Sequence, residues 1–248
     1  MPVRTTQLSV NGLSIGEHDA TRTYLLLHGG GGRPTMAGFA ELLAADTSGR
    51  VLLPTHPGFG GTPKPESLVD TRDLAQAYVQ LLNELDLSDV TLIGNSFGGW
   101  LAAEIAIHGS ERVTAAVIVD GVGIEVTDHQ MTSVVGLSPA ELSHLSFHDP
   151  SKAPRPPAGQ SGPSPDVQAL ISYTGPTMSD PSLLDRLSQI SLPTRVIWGA
   201  SDGIVSPDYG RAYAAAIPGA TFTLLPESGH LPQVETPEAV LSAILDRP

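Results

Sequence analysis

Three side chains in this sequence could together carry out acyl transfer: Ser96, Asp202 and His230. Ser96 is the middle residue of Gly94-Asn-Ser96-Phe-Gly98, which follows the apolar run Val90-Thr-Leu-Ile and leads into a helix-forming stretch from Trp100. A serine in a sharp strand-to-helix turn has its hydroxyl lifted above the sheet, and glycine at 94 and 98 removes side chains that would collide across the turn. A hydroxyl is a poor nucleophile at neutral pH, so it needs a base within hydrogen-bond reach and a third group that fixes the tautomer of that base. The plainer reading of Ser96 is a cap on the following helix, but a cap does not require glycine on both sides.

Of the eight histidines, His230 is the best placed base. It lies in Pro226-Glu-Ser-Gly-His-Leu-Pro, between an expected strand, Thr221 to Leu225, and the last expected helix, which puts its loop at the sheet edge that carries Ser96. Asp202 follows Val196-Ile-Trp-Gly-Ala-Ser just beyond another strand and completes the chain order Ser, Asp, His. Asp120, at the end of Val117-Ile-Val, is the competing acid. Tyr24-Leu-Leu-Leu-His28-Gly-Gly-Gly-Gly32 lets backbone N–H groups approach a developing oxyanion, and Gly30 and Phe97 are the expected donors. The same run lacks the Gly-Lys-Ser/Thr ending of a phosphate-binding loop, and no Gly-x-Gly-x-x-Gly with a later acidic ribose ligand occurs, which disfavours nucleotide binding. His28, His56 and His108 read as scattered, without the short spacing of metal ligands. His129, His144 and His148 read as solvated or structural. No metal and no cofactor is expected.

Positioning these groups takes alternating strands and helices. Thr23 to Leu27, Val51 to Leu53, Val90 to Ile93, Val113 to Val119 and Thr194 to Trp198 are apolar runs with almost no polar interruption, the mark of parallel strands buried on both faces. Thr71 to Leu85 spaces Leu74, Ala75, Tyr78, Leu81, Leu82 and Leu85 along one helical face. Pro207 to Ala216 and Pro237 to Leu245 each open with proline, which a first helical turn tolerates. Periodicity weakens from Gly123 to Ile190, and Asp149 to Pro165 holds six prolines, so approximately 123–190 reads as a cap inserted into a single domain spanning 1–248. Within it, Ser138-Pro-Ala-Glu141 has capping-box spacing, and Asp180-Pro181 starts another short helix.

Composition narrows the partners. The 248 residues carry 13 basic and 26 acidic side chains for a net charge of -13, a field that repels phosphate backbones and anionic headgroups. The sequence has no cysteine, which removes disulfides, a thiol nucleophile and thiolate metal sites. No apolar run reaches the length of a bilayer span, and the first residues lack the apolar core of a signal peptide. The expectation is a soluble cytoplasmic protein acting on a small-molecule carbonyl substrate, with neither nucleic acid nor membrane as partner.

Five landmarks in order, His28-Gly-Gly-Gly, Pro57-Gly-Phe-Gly-Gly61, Gly94-Asn-Ser-Phe-Gly98, Trp198-Gly-Ala-Ser-Asp202 and Ser228-Gly-His230, give a chain that resembles the α/β-hydrolase superfamily over nearly its full length. The resemblance implies an α/β-hydrolase fold: a mostly parallel eight-stranded sheet flanked by helices, a small cap after the sixth strand, and an acyl-enzyme route. By that resemblance Ser96 attacks a carbonyl, His230 takes its proton and returns it to the leaving group, and Asp202 stabilises the imidazolium. Serine at 96 argues against the epoxide hydrolase and haloalkane dehalogenase branches, which use aspartate there. Thr55-His56 departs from relatives that often carry an aspartate followed by a small or apolar residue. The expected activity is hydrolysis of a small or medium carboxylic ester or lactone. Carbon–carbon bond hydrolysis of a dicarbonyl substrate is the enzymatic alternative, and a ligand-responsive binding protein is the non-catalytic one.

Overall fold

The computed structural model describes residues 14–15, 22–47, 49–134, 136–154 and 165–246. Its apolar runs pair into one sheet. The strands are β1 (Ser14–Ile15), β2 (Thr23–Leu27), β3 (Arg50–Leu52), β4 (Val90–Asn95), β5 (Val113–Val119), β6 (Thr194–Gly199) and β7 (Thr221–Leu225), in the order β1-β3-β2-β4-β5-β6-β7. Every pair is parallel except β1 with β3. The described residues thus hold a mostly parallel sheet of seven strands, one fewer than the resemblance implies.

Parallel strands joined by helical crossovers must bury both faces, and β2 does so by strict alternation. Leu25 and Leu27 enter the core cluster shared with α2 (Thr71–Glu84), α3 (Phe97–Ile107) and α7 (Pro207–Ala216). Tyr24 and Leu26 enter the opposite cluster, under α1 (Pro34–Thr47) and α9 (Pro237–Leu245). The amphipathic face expected of α2 is buried through Leu74, Ala75, Tyr78, Leu81 and Leu82. Its start is fixed by a capping box in which the Asp70 carboxylate accepts from the Arg72 and Asp73 amides.

Between β5 and β6 the chain forms α4 (Pro139–Ser146), a 3-10 turn at Pro150–Lys152, α5 (Pro165–Thr174), α6 (Leu183–Arg186) and a second 3-10 turn at Leu187–Gln189. Ser138 and Glu141 make the capping box their spacing predicts, with the Ser138 amide donating to Glu141 Oε2 at 2.8 Å. The helix α5 is not marked by periodicity, and most of the proline-rich stretch before it lies outside the described residues. Tyr173 accounts for its position: the ring stacks on Phe97 with centroids 5.9 Å apart and the hydroxyl donates to the Pro57 carbonyl at 3.1 Å. A charged contact anchors α6. Arg186 donates from two nitrogens to both oxygens of the buried Glu104 on α3, each at 2.7 Å, and Trp100 Nε1 donates to the same carboxylate at 3.1 Å.

Candidate active site

The strand β4 ends at Asn95, and the chain reverses at Ser96 with φ 56° and ψ −118°, a left-handed geometry rarely adopted by a residue with a side chain. The packing demands it. A Cβ on Gly94 would lie 2.0 Å from the Gly98 carbonyl oxygen, and one on Gly98 would lie 1.9 Å from that of Leu27, so neither position admits a side chain. The Ser96 hydroxyl makes no cap hydrogen bond to α3, against the plainer reading of this serine. The amide of Phe97 is one of the first-turn donors of α3, which have no acceptor inside their own helix. Gly29 packs so closely on the turn that a Cβ there would sit 2.9 Å from Ser96 Cβ, and Leu170 of α5 lies equally tightly over Gly30.

Asp202 and His230 come together at the ends of β6 and β7. Nδ1 of His230 lies 2.8 Å from Asp202 Oδ2, and both residues are buried. A carboxylate only accepts, so Nδ1 carries the hydrogen, and in the tautomer this fixes Nε2 is the acceptor nitrogen. Asp202 Oδ1 accepts from the amides of Ile204 and Val205 at 2.8 and 3.0 Å, which holds the carboxylate in place. The loop bearing His230 is fixed from both sides. Glu235 accepts from the Gly229 amide at 2.8 Å, and also from the amides of His148 and Asp149, between α4 and the 3-10 turn that follows it.

Asn95 joins this loop to the serine turn. Its Nδ2 donates to the His230 carbonyl at 3.0 Å and to the Val119 carbonyl at 3.2 Å, and its Oδ1 accepts from Gln233 Nε2 at 3.1 Å. Neither Asn95 nor Gln233 carries a spacing signal that sequence reasoning could use: one is a variable position of the Gly-x-Ser-x-Gly turn, and the other simply follows the histidine.

Asp120, the competing acid, is also at the site. One ligand atom from each of Asp120, Asp202 and His230 lies within 4.8 Å of the others. Its hydrogen bonding separates it from Asp202: Oδ1 accepts from the Gly199 amide at 2.8 Å, whereas Oδ2 has no donor. Burial, and then the charge of Asp202, push the Asp120 carboxyl well above the usual carboxylate range.

A second group of buried side chains lies on the other flank. The expectation that His28 and His56 are scattered does not hold, because β2 and β3 are neighbours in the sheet and their C-terminal ends bring the two rings to 3.9 Å between centroids. His28 Nε2 accepts from the His56 amide at 3.1 Å, so Nδ1 bears the hydrogen and donates to the Gly29 carbonyl at 2.9 Å. His56 Nε2 donates to the His28 carbonyl at 3.1 Å, and its Nδ1 accepts from the Tyr78 hydroxyl at 2.7 Å. Burial lowers the pKa of His28 to about 4. It takes that of His56 well below its ordinary value, with the neighbouring His28 adding to the effect. Both rings are neutral at neutral pH. They fix the loop that carries Gly29 and Gly30, a role the departure at His56 left open.

Trp100 is buried, and its Nε1 donates to Glu104. Among the described residues no helix is long and apolar enough to cross a membrane.

Comparison with known proteins agrees with this architecture. The chain is 26% identical over 253 residues to the 2-hydroxy-6-oxononadienedioate/2-hydroxy-6-oxononatrienedioate hydrolase of Cupriavidus pinatubonensis (strain JMP 134 / LMG 1197), across 90% of this chain and 86% of that one. The bromoperoxidase from Bacillus anthracis superposes with a TM-score of 0.72 at 22% identity, covering 92% of this chain and 94% of its own. The enol-lactonase from Burkholderia xenovorans LB400 superposes with a TM-score of 0.69 at 19% identity, covering 93% of each. The model of the alpha/beta hydrolase family matches residues 24–243, and the chain therefore belongs to that family.

Proposed function

We propose that this hydrolase cleaves a small or medium, uncharged carboxylic ester or lactone through an acyl-enzyme on Ser96. The observation that carries the reading is the 2.8 Å contact between His230 Nδ1 and Asp202, because it leaves Nε2 as the base while Asn95 ties the same loop to the serine turn. Nε2 takes the proton as Ser96 Oγ bonds to the substrate carbonyl carbon, and the oxyanion is met by the amides of Phe97 and Gly30. The carbon–oxygen bond to the leaving alcohol then breaks, His230 returns the proton to that alcohol, and water repeats the sequence to free the acid. Segment 123–190 serves as the cap, with Leu170 and Tyr173 of α5 over Gly30 and Phe97. These contacts are apolar or aromatic, which favours a neutral acyl group.

The Cupriavidus relative favours a second reading, hydrolysis of a carbon–carbon bond in a dicarbonyl substrate by the same serine. The two separate in one experiment. Wild type and Ser96→Ala are assayed on a short-to-long p-nitrophenyl ester series, on lactones and on a vinylogous dicarbonyl, with fluorophosphonate labelling read by mass spectrometry. Ester turnover and labelling that both vanish in Ser96→Ala support the proposal; a much larger kcat/KM on the dicarbonyl replaces it with the second reading. A folded wild type that neither turns over nor labels would sink both.

A further inference from the structure

Four carboxylates are buried among the described residues: Glu104, Asp120, Asp202 and Glu235. Glu104 takes two guanidinium bonds and an indole bond, Glu235 takes three backbone amides, and Asp202 takes two amides and the His230 ring. Asp120 takes a single amide, from Gly199, and leaves Oδ2 without any donor. A buried anion with an orphaned oxygen is among the costliest arrangements a protein interior can hold, and here a second carboxylate faces it. Two carboxylates sharing one dry site cannot both be ionised.

A proton or a cation could resolve this, and the donors around Asp202 decide between them. Asp202 Oδ1 already accepts two amides, and Oδ2 faces the hydrogen-bearing nitrogen of His230, so Asp202 keeps a single open lone pair and the ring none on this side: too few, even with Asp120, to complete a metal's coordination shell, but enough to accept one hydrogen bond. The charged or titratable groups that close on Asp120 are Asp202, beyond β6, and His230, beyond β7. We propose that Asp120 is held as the neutral carboxylic acid and donates its proton to Asp202, acting as a positioning residue for the acid that orients His230. The pair then carries one negative charge, and that charge stays on the member bonded to the histidine. The left-handed backbone at Asp120, φ 46°, is consistent with a side chain held in place against a local cost.

The proposal rests on the reading of Asp202 and His230 given above, so its first test does not use activity. Infrared difference spectra of wild type against Asp120→Asn at neutral pH, in light and heavy water, read the carbonyl stretch of a protonated carboxylic acid. A band present in wild type, shifted by deuterium and lost in Asp120→Asn is the expected result. Its absence from wild type, its survival in Asp120→Asn, or a stoichiometric divalent ion found in purified wild type would each overturn the proposal. Hydrolysis supplies the second readout. Asp120→Ala should lower kcat about tenfold with little change in KM, and Asp120→Asn, which keeps a donor towards Asp202, should restore most of it. Equal losses in the two variants, or a loss carried by KM, would reject the positioning role. A wild type that shows the band but cleaves no ester would remove the functional reading and leave the proton assignment standing.

Discussion

Two buried histidine clusters flank Ser96, and they are built on opposite electrostatic terms. On one flank His230 faces Asp202 and Asp120; on the other the rings of His28 and His56 face each other and bond to a tyrosine hydroxyl, a backbone amide and backbone carbonyls. The same side chain is thereby given two tasks. In the reaction proposed above, the carboxylate beside His230 is what stabilises the imidazolium that forms. At His28 and His56 burial is the largest influence and the rings stay uncharged, so both behave as fixed spacers for the glycine loop.

The largest expected effect breaks the charged flank. Asp202→Asn should lower kcat about 10³- to 10⁴-fold, since the amide no longer holds the hydrogen on Nδ1. The check is ester hydrolysis with folding confirmed by circular dichroism. Comparable activity in the variant would dissolve the contrast between the clusters.

Burial of charge has a structural counterpart away from the site. Arg186→Met strands the Glu104 carboxylate on α3 without its two guanidinium bonds and should cost about 3–5 kcal/mol in urea unfolding. A much smaller loss would mean that Glu104 is relieved by protonation or by water.

The clusters should also differ in the sign of their pH dependence. His28 has an ordinary pKa of 6.5 once unfolded and about 4 when folded, so the unfolded chain binds the proton first. The stability gained by keeping it neutral is present above 6.5 and lost as pH falls towards 4, by about 3 kcal/mol in all. Asp120 is shifted upward, so its contribution runs the other way and declines as pH rises above the ordinary carboxylate range. Unfolding midpoints across pH for wild type, His28→Gln and Asp120→Asn separate the two: the first variant should reduce the loss of stability as pH falls from 6.5 towards 4, and the second the loss as pH rises above the carboxylate range.

Tyr78→Phe is the mildest probe. It removes the hydroxyl that donates to His56 Nδ1 and leaves a buried acceptor unpaired, for a loss of about 1–3 kcal/mol of stability. The effect on kcat should be far smaller than that of Asp202→Asn. A large fall in kcat at constant stability would show that the neutral flank does more than hold the glycine loop.

The sequence by itself determined the alternating strands and helices. Runs such as Thr23–Leu27 and Val90–Asn95 are too apolar to be exposed on either face and are buried throughout, and the apolar stripe of α2 covers one side of the sheet they form. It also determined the chemistry of the turn at Ser96, because the backbone contacts at Gly94 and Gly98 forbid a Cβ and so leave a mark on residue identity. Periodicity could not mark α5, whose place follows from Tyr173 meeting Phe97 and Pro57 across the molecule. Asn95, Gln233 and the pairing of His28 with His56 were equally hidden, since each depends on which strand ends the sheet order places side by side. The difference in donor supply between Asp202 and Asp120 was decided by tertiary structure alone. Both follow strands and both come within reach of His230, and only the three-dimensional supply of donors, three to one and one to the other, says which is equipped to carry charge.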